Sequence, residues 1–316
     1  MRQIMDLDEI LLLKGLKGVG DKTIVKLLNY LSEAGIAGLL DKPRDHVDEL
    51  VISALGSNKR SQSIVEFIFS EELNEHRNEL QKTKAKWAEL DVKVVSYSDV
   101  EYPQHLKELK DPPLLLFCVG NTDLLQSVSS IAVVGTRQNT ALGKLITEKT
   151  VQFLCSHDCV IVSGLALGID TEAHAAALRV QGKTIAVLVD VINVAPSVNK
   201  QLAKQILDQD GLLVSENFPE TNIIPSMFAK RDRIQAGLSQ AVIAIETSTD
   251  GGTMHAVNTA LGLRRDVYVP DPVLAGYKDL GASQIAGTQK LIRDLQAKPY
   301  TKSSYSEILS KIKSKS

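Results

Sequence analysis

The stretch FAKRDRI, residues 228–234, sets Lys230, Arg231 and Arg233 around one acid, Asp232, shortly before an uncharged run at 241–245. The whole chain carries a net charge of only −2, so any phosphate or nucleic-acid site has to be a local patch. Cations of this kind suit a polyanion or a nucleotide, and Met227 and Phe228 just upstream offer a surface on which a base can stack. The competing reading puts Phe228 in the core and leaves the cations on a solvated helix face. Arg231 and Arg233 are two residues apart, a spacing that does not place them on the same face of a helix.

A second set of residues follows a series of short apolar runs. Gly135-Thr136-Arg137 comes after the run at 131–134, and SGLALGIDTEAHAAAL (163–178) after the run at 160–162. Ser215-Glu216 follows 212–214, and ETSTDGGTMHAVNTAL (246–261) follows 241–245. These loops are rich in glycine and small hydroxyl residues, and several run directly into a helix start. Free N–H groups and the helix dipole attract anions there, and small side chains let the backbone come close. This is phosphate-cradling chemistry.

Other chemistries find little support. There is no G-x-G-x-x-G and no G-x-x-x-x-G-K-[ST]. Ser163 lies outside any G-x-S-x-G elbow. Asp170 and His174, four apart, read more simply as a helix cap and a packed or hydrogen-bonded histidine than as a catalytic or metal pair. Glu216 and Glu246 read as partners for Arg137, Arg231 or Arg233 rather than as paired catalytic carboxylates. Cys155, His157 and Cys159 lack a clear fourth metal ligand and read as core or boundary residues. The expectation is a protein with no catalytic residue, no metal and no cofactor.

The elements that must position these loops follow from the pattern of the chain. Residues 1–80 are helical in periodicity, and LLLKGLKGVGDKTIVKLLNYL reads as a helix-hairpin-helix (SAM-like) turning at Gly18-Val19-Gly20. Asp21 would stand at the second helix's start, which favours an ordinary cap over a phosphate site. From 81 to 297, apolar runs alternate with helical segments. Continuous apolar strands separated by helices imply an α/β, Rossmann-like, doubly wound and mostly parallel sheet, buried on both faces. Ligands bind outside the carboxyl ends of such strands. Residues 298–316 read as a short basic tail. The hydrophobic fraction of 44% and charged fraction of 23% are those of an ordinary soluble protein. Three cysteines and the lack of a signal-peptide pattern imply a cytoplasmic setting, and no apolar run approaches the roughly 18 residues that span a bilayer.

Together, YPQHLKELKDPPLLLFCVGN, AVVGTRQNTALG, VIVSGLALGIDTEAHAAAL, GKTIAVL, GLLVSENFP, FAKRDRIQAGLS and GTQKLI resemble the bacterial DNA-processing DprA/Smf family, in the family's order. The resemblance covers most of residues 90–295. It implies a non-enzymatic protein that binds single-stranded DNA, forms a homodimer and loads a RecA-type recombinase during natural transformation. It also implies a DNA site at Thr136, Arg137, Ser163, Gly164, Phe228, Arg231, Arg233, Ser248, Gly251 and Gly252, with Lys230 adding charge. The family's Arg-Asn-Arg is Arg231-Asp232-Arg233 here, and the stretch VINVAPSVNKQL also departs from the family pattern. The short tail leaves no room for the winged helix that ends many members. The alternative is a nucleotide sensor or nucleotide-hydrolysing enzyme of the wider Rossmann-like superfamily.

Overall fold

The first helix, α1 (Leu7–Gly15), starts at a reciprocal cap: Asp6 Oδ1 accepts from the Glu9 amide at 2.8 Å, and Glu9 Oε2 accepts from the Asp6 amide at 3.1 Å. The computed structural model describes residues 4–274 and 285–314. The chain divides into two units, Met1–Tyr102 with Asp111–Leu116, and Pro103–Lys110 with Phe117–Ser316.

The first unit continues through α2 (Asp21–Glu33), α3 (Arg44–Leu55), α4 (Lys59–Ile68), α5 (Glu72–Glu89) and the short strand β1 (Lys93–Ser96). The hairpin read from the sequence is α1 and α2. Gly18 turns the chain at φ 86°, a conformation that costs a side-chain-bearing residue free energy. Val19 tucks into the core, and Ile24, Leu27, Leu28 and Leu31 form the buried stripe of α2. Asp21 does not cap this helix. Gly20 holds the N-cap position without a side-chain bond, and Asp21 pairs with Lys14 across the turn. The buried carboxylate of Glu9 also accepts from the amides of Leu39 and Leu40 at 2.7 and 3.0 Å, which ties that loop to α1.

The second unit is built on a sheet. Its strands are β2 (Leu115–Gly120), β3 (Ser130–Val134), β4 (Val160–Ser163), β5 (Thr184–Val187), β6 (Leu212–Ser215), β7 (Ala241–Ala244), β8 (Asp266–Pro270) and β9 (Lys298–Tyr300). They lie in the order β2-β6-β5-β4-β3-β7-β8-β9. Every pairing is parallel except β2 with β6, as the mostly parallel doubly wound fold requires. The chain winds outward from β3 through β4, β5 and β6, then returns to β3's other side to start β7. The switch point therefore lies between β3 and β7, where loops diverge and leave a crevice. The connecting helices are α7 (Ala141–Cys155), α8 (Ile169–Arg179), α9 (Lys200–Asp208), α10 (Pro225–Gly237), α11 (Thr253–Gly262) and α12 (Ala286–Arg293), with the short α6 (Gln104–Lys107) ahead of β2 and α13 (Tyr305–Lys313) after β9.

Both faces of the central strands are apolar because both are covered. Ile131 and Val133 of β3 and Ile243 of β7 pack with Val151, Leu154, Ile169, Ala173, Ile308 and Ile312. Their neighbours Ala132, Val134, Val242 and Ala244 pack on the other face with Ala236, Val257, Ala260 and Leu291. This period-two split, apolar on both sides, is the signature of a buried parallel strand. Cys159 belongs to the first cluster and Cys155 packs against it, in line with core roles. After residue 297, Tyr300 and Tyr305 join the same cluster, and both hydroxyls reach Thr150 Oγ1, at 2.9 and 3.0 Å. Among the described residues no helix is long and apolar enough to cross a membrane.

Truncating Ile243 to alanine, at a fully buried central position, is expected to lower unfolding free energy by about 2–5 kcal/mol in urea titration. A loss below about 1 kcal/mol would mean that this face is not closely packed.

Candidate nucleic-acid interface

Two loops and one helix meet at the switch point around a cavity of about 530 Å³. The first, after β3, is Gly135 to Thr140. Thr136 donates its amide to the Glu246 carbonyl at 2.7 Å, so the β3 and β7 exits are bonded to each other. Glu246, fully buried, locks the same junction with its side chain: its carboxylate accepts from the Thr140 amide at 2.9 Å and from Thr140 Oγ1 at 2.6 Å. Thr140 Oγ1 in turn caps α7 by accepting from the Gly143 amide at 2.9 Å. Glu246 is thus an architectural acid, not a partner for an arginine as its position in the sequence suggests.

The second loop follows β7. Ser248, Gly251 and Gly252 line the cavity there and lead into α11, whose N-terminus carries no side-chain cap bond. Such a helix start leaves amides available to an anion.

The third contribution comes from α10. Phe228, Arg231, Asp232 and Gln235 all line the cavity, at the i, i+3, i+4, i+7 spacing of one helix face. The guanidinium of Arg137, an exposed side chain, sits 5.9 Å from the centroid of the half-buried Phe228 ring, within cation–π range. Arg231 is only 4% exposed. Its Nη1 donates to the Val187 carbonyl at 2.8 Å and its Nε lies 3.3 Å from Asp232 Oδ1. A Cβ on Gly164 would fall 1.6 Å from that Nη1, so only glycine leaves room for the arginine.

The eleven candidate positions therefore divide. Thr136, Arg137, Phe228, Arg231, Ser248, Gly251 and Gly252 surround one cavity. Ser163 and Gly164 sit behind it, both buried; Ser163 Oγ donates to the Val133 carbonyl at 2.7 Å, and the Gly164 amide donates to Asp170 Oδ2 at 3.1 Å. Lys230 and Arg233 serve another face. Arg233 makes a bidentate pair with Glu216 at 2.8 and 2.7 Å, and Lys230 approaches the same carboxylate at 3.2 Å. The sequence reading missed Asp170, Asp232, Gln235 and Thr247, which also line the cavity. For Asp232 and Gln235 the signal was present in the helical spacing from Phe228.

Electrostatics around Arg231 are unusual. Asp170 is not a cap; it lies inside the first turn of α8, where burial raises its carboxyl to about 6 although Arg231 pulls it down. His174 is pushed down to about 3 by burial and by the Arg231 charge, so its imidazole is neutral. Its Nδ1 lies 2.7 Å from Thr184 Oγ1, and that hydroxyl lies 2.8 Å from the Ile161 carbonyl. Burial also raises the Asp232 carboxyl, against the opposing pull of Arg231, His255 and Arg137.

These shifts give stability a pH dependence of definite sign. The His174 value is depressed, so its contribution is present above the ordinary 6.5 and is lost as pH falls toward 3. Asp170 is raised, so its contribution is present below 3.8 and is lost as pH rises through about 6. In urea unfolding of wild type and His174→Asn, their difference should shrink by up to about 1.4 kcal/mol per pH unit below 6.5. A pH-independent difference would show that no neutral imidazole is required. Arg231→Ala should cost about 3–5 kcal/mol, because it strips a buried charge cluster of its cation. Arg137→Ala, at an exposed position, should change stability by less than about 0.5 kcal/mol.

Residues 93–313 match the model of the family described as DNA recombination-mediator protein A. The chain is 34% identical over 233 residues to DNA processing protein DprA of Bacillus subtilis, covering 71% of this chain and 78% of that protein. Its fold matches the crystal structure of DNA processing protein A from Streptococcus pneumoniae with a TM-score of 0.77 and 30% identity, over 95% of this chain and 97% of that one. It also matches DNA processing protein A from Helicobacter pylori, whose structure was described for its single-stranded DNA binding mode, with a TM-score of 0.60 and 27% identity over 70% and 96% of the two chains. The chain belongs to the DNA recombination-mediator protein A family, also known as DprA or Smf.

Proposed function

We propose that this protein binds single-stranded DNA at the switch-point cavity and acts without catalysis, as a cytoplasmic homodimer that loads a RecA-type recombinase. The observation that carries the DNA reading is the pairing of Arg137 with Phe228 at the mouth of a cavity built from glycine and hydroxyl loops. A phosphate suits the Ser248–Gly252 loop, the α11 start and the Arg137 charge. A base suits the ring of Phe228, since stacking tolerates any base. The described binding mode of the Helicobacter pylori relative supports the same ligand. The family's description as a recombination mediator supports delivery of a recombinase to the strand.

The division of the cations refines the site. Arg137 is the exposed cation of the cavity and takes the phosphate contact. Arg231 supplies field from behind, and Arg233 and Lys230 are held by Glu216 and contribute little. Ser163 and Gly164 shape the cavity without touching the strand.

Anisotropy of a labelled single-stranded oligonucleotide, titrated at two salt concentrations, tests this. Arg137→Ala should weaken binding roughly tenfold and lower the salt slope by about 0.7, the loss of one phosphate contact. Lys230→Ala should change affinity by less than about twofold, since its charge is already paired. Equal losses in both variants would move the site off the cavity. Turnover of a mononucleotide would instead favour a nucleotide-hydrolysing enzyme. Recombinase filament assembly on DNA coated by a single-strand-binding protein should be accelerated by the wild type.

A further inference from the structure

Beside the buried Asp170, the cavity contains a second acid that a phosphate cradle does not need. Asp232 lines it with a carboxylate that is 16% exposed. Oδ1 is engaged: it accepts from Gln235 Nε2 at 2.9 Å and lies 3.3 Å from Arg231 Nε. Oδ2 has no hydrogen-bond or ion-pair partner among the described residues. Gln235, whose amide N–H is directed at Asp232, keeps its own Oε1 buried and without a partner. The cavity face of α10 thus presents a carboxylate beside the cations.

A carboxylate oxygen repels a phosphate and attracts N–H donors. Within single-stranded DNA such donors belong to the bases, whose pairing edges are free. Adenine, cytosine and guanine each carry an exocyclic amino group. Thymine has none, and its one ring N–H is flanked by two carbonyl oxygens that a carboxylate repels. Phe228 and Asp232 are four residues apart on one helix face, so the edge of a base stacked on the ring comes toward Asp232. We propose that Asp232 reads the edge of the bound base and makes this cavity prefer a nucleotide bearing an exocyclic amino group over thymidine. This inference rests on the single-strand DNA reading above and adds a base preference to it.

The test uses the full chain with a labelled oligothymidylate bound, displaced by unlabelled oligothymidylate or oligodeoxycytidylate at neutral pH. Oligodeoxycytidylate should compete roughly tenfold better, the scale of one hydrogen bond to a charged group. Asp232→Asn is nearly isosteric and adds an amide donor, so it should bring that ratio close to one. Equal competition by the two oligonucleotides in the wild type overturns the proposal without needing the variant. So does an Asp232→Asn protein that binds both more tightly by the same factor, since the acid would then only repel phosphate. If the labelled oligothymidylate and a labelled oligodeoxycytidylate both fail to bind at low salt, the DNA reading falls and the base preference falls with it.

Discussion

The buried guanidinium of Arg231 is the constraint on which the cavity depends. A charge taken out of water is costly unless its surroundings supply acceptors and opposite charge. Here they come from three separate pieces of chain. The end of β5 gives the Val187 carbonyl, α8 gives the Asp170 charge, and α10 itself gives Asp232. The exit of β4 must give way, and Gly164 does so by having no side chain. One side chain therefore fixes the relative placement of two strand ends and two helices. It also explains the neighbouring shifts, because the same burial that isolates Arg231 disfavours charge on Asp170 and on His174.

The opposite edge of the crevice is held by a different device. Glu246 bonds both backbone and side chain of Thr140, and Thr140 caps α7. The crevice at the switch point thus has two rigid sides, one anchored by a buried cation and one by a buried acid. Between them lie the groups with freedom to meet a ligand: Arg137, the ring of Phe228 and the loop from Ser248 to Gly252. Exposed groups on a rigid frame lose little conformational freedom when a ligand binds, which favours affinity.

Much of the fold was legible in the sequence. The runs at 131–134, 160–162 and 241–245 are apolar at every position, the pattern of a strand covered on both faces, and they became β3, β4 and β7. The glycine turn at residue 18 between two apolar stripes became the α1–α2 hairpin. Less legible was the antiparallel pairing of β2 with β6, because Phe117 meets Ser215 across nearly a hundred residues of intervening chain and no local signal encodes that contact. The same holds for β9 and α13: Tyr300 and Tyr305 are too far apart from Thr150 in sequence for periodicity to join them.

At the site, the sequence by itself determined which residue types were available: cations, one aromatic ring, and loops of glycine and small hydroxyls after strands. Tertiary structure decided which of them face the cavity. Two arginines separated by one residue went to different acids because a helix turns about 100° per residue, so Arg231 reached Asp232 and the β5 end while Arg233 reached Glu216. Ser163 and Gly164 went behind the wall because β4, which ends at Ser163, is buried on both faces. Asp232 came to line the cavity with only Oδ1 engaged, because the fold alone sets how many partners a half-buried acid finds.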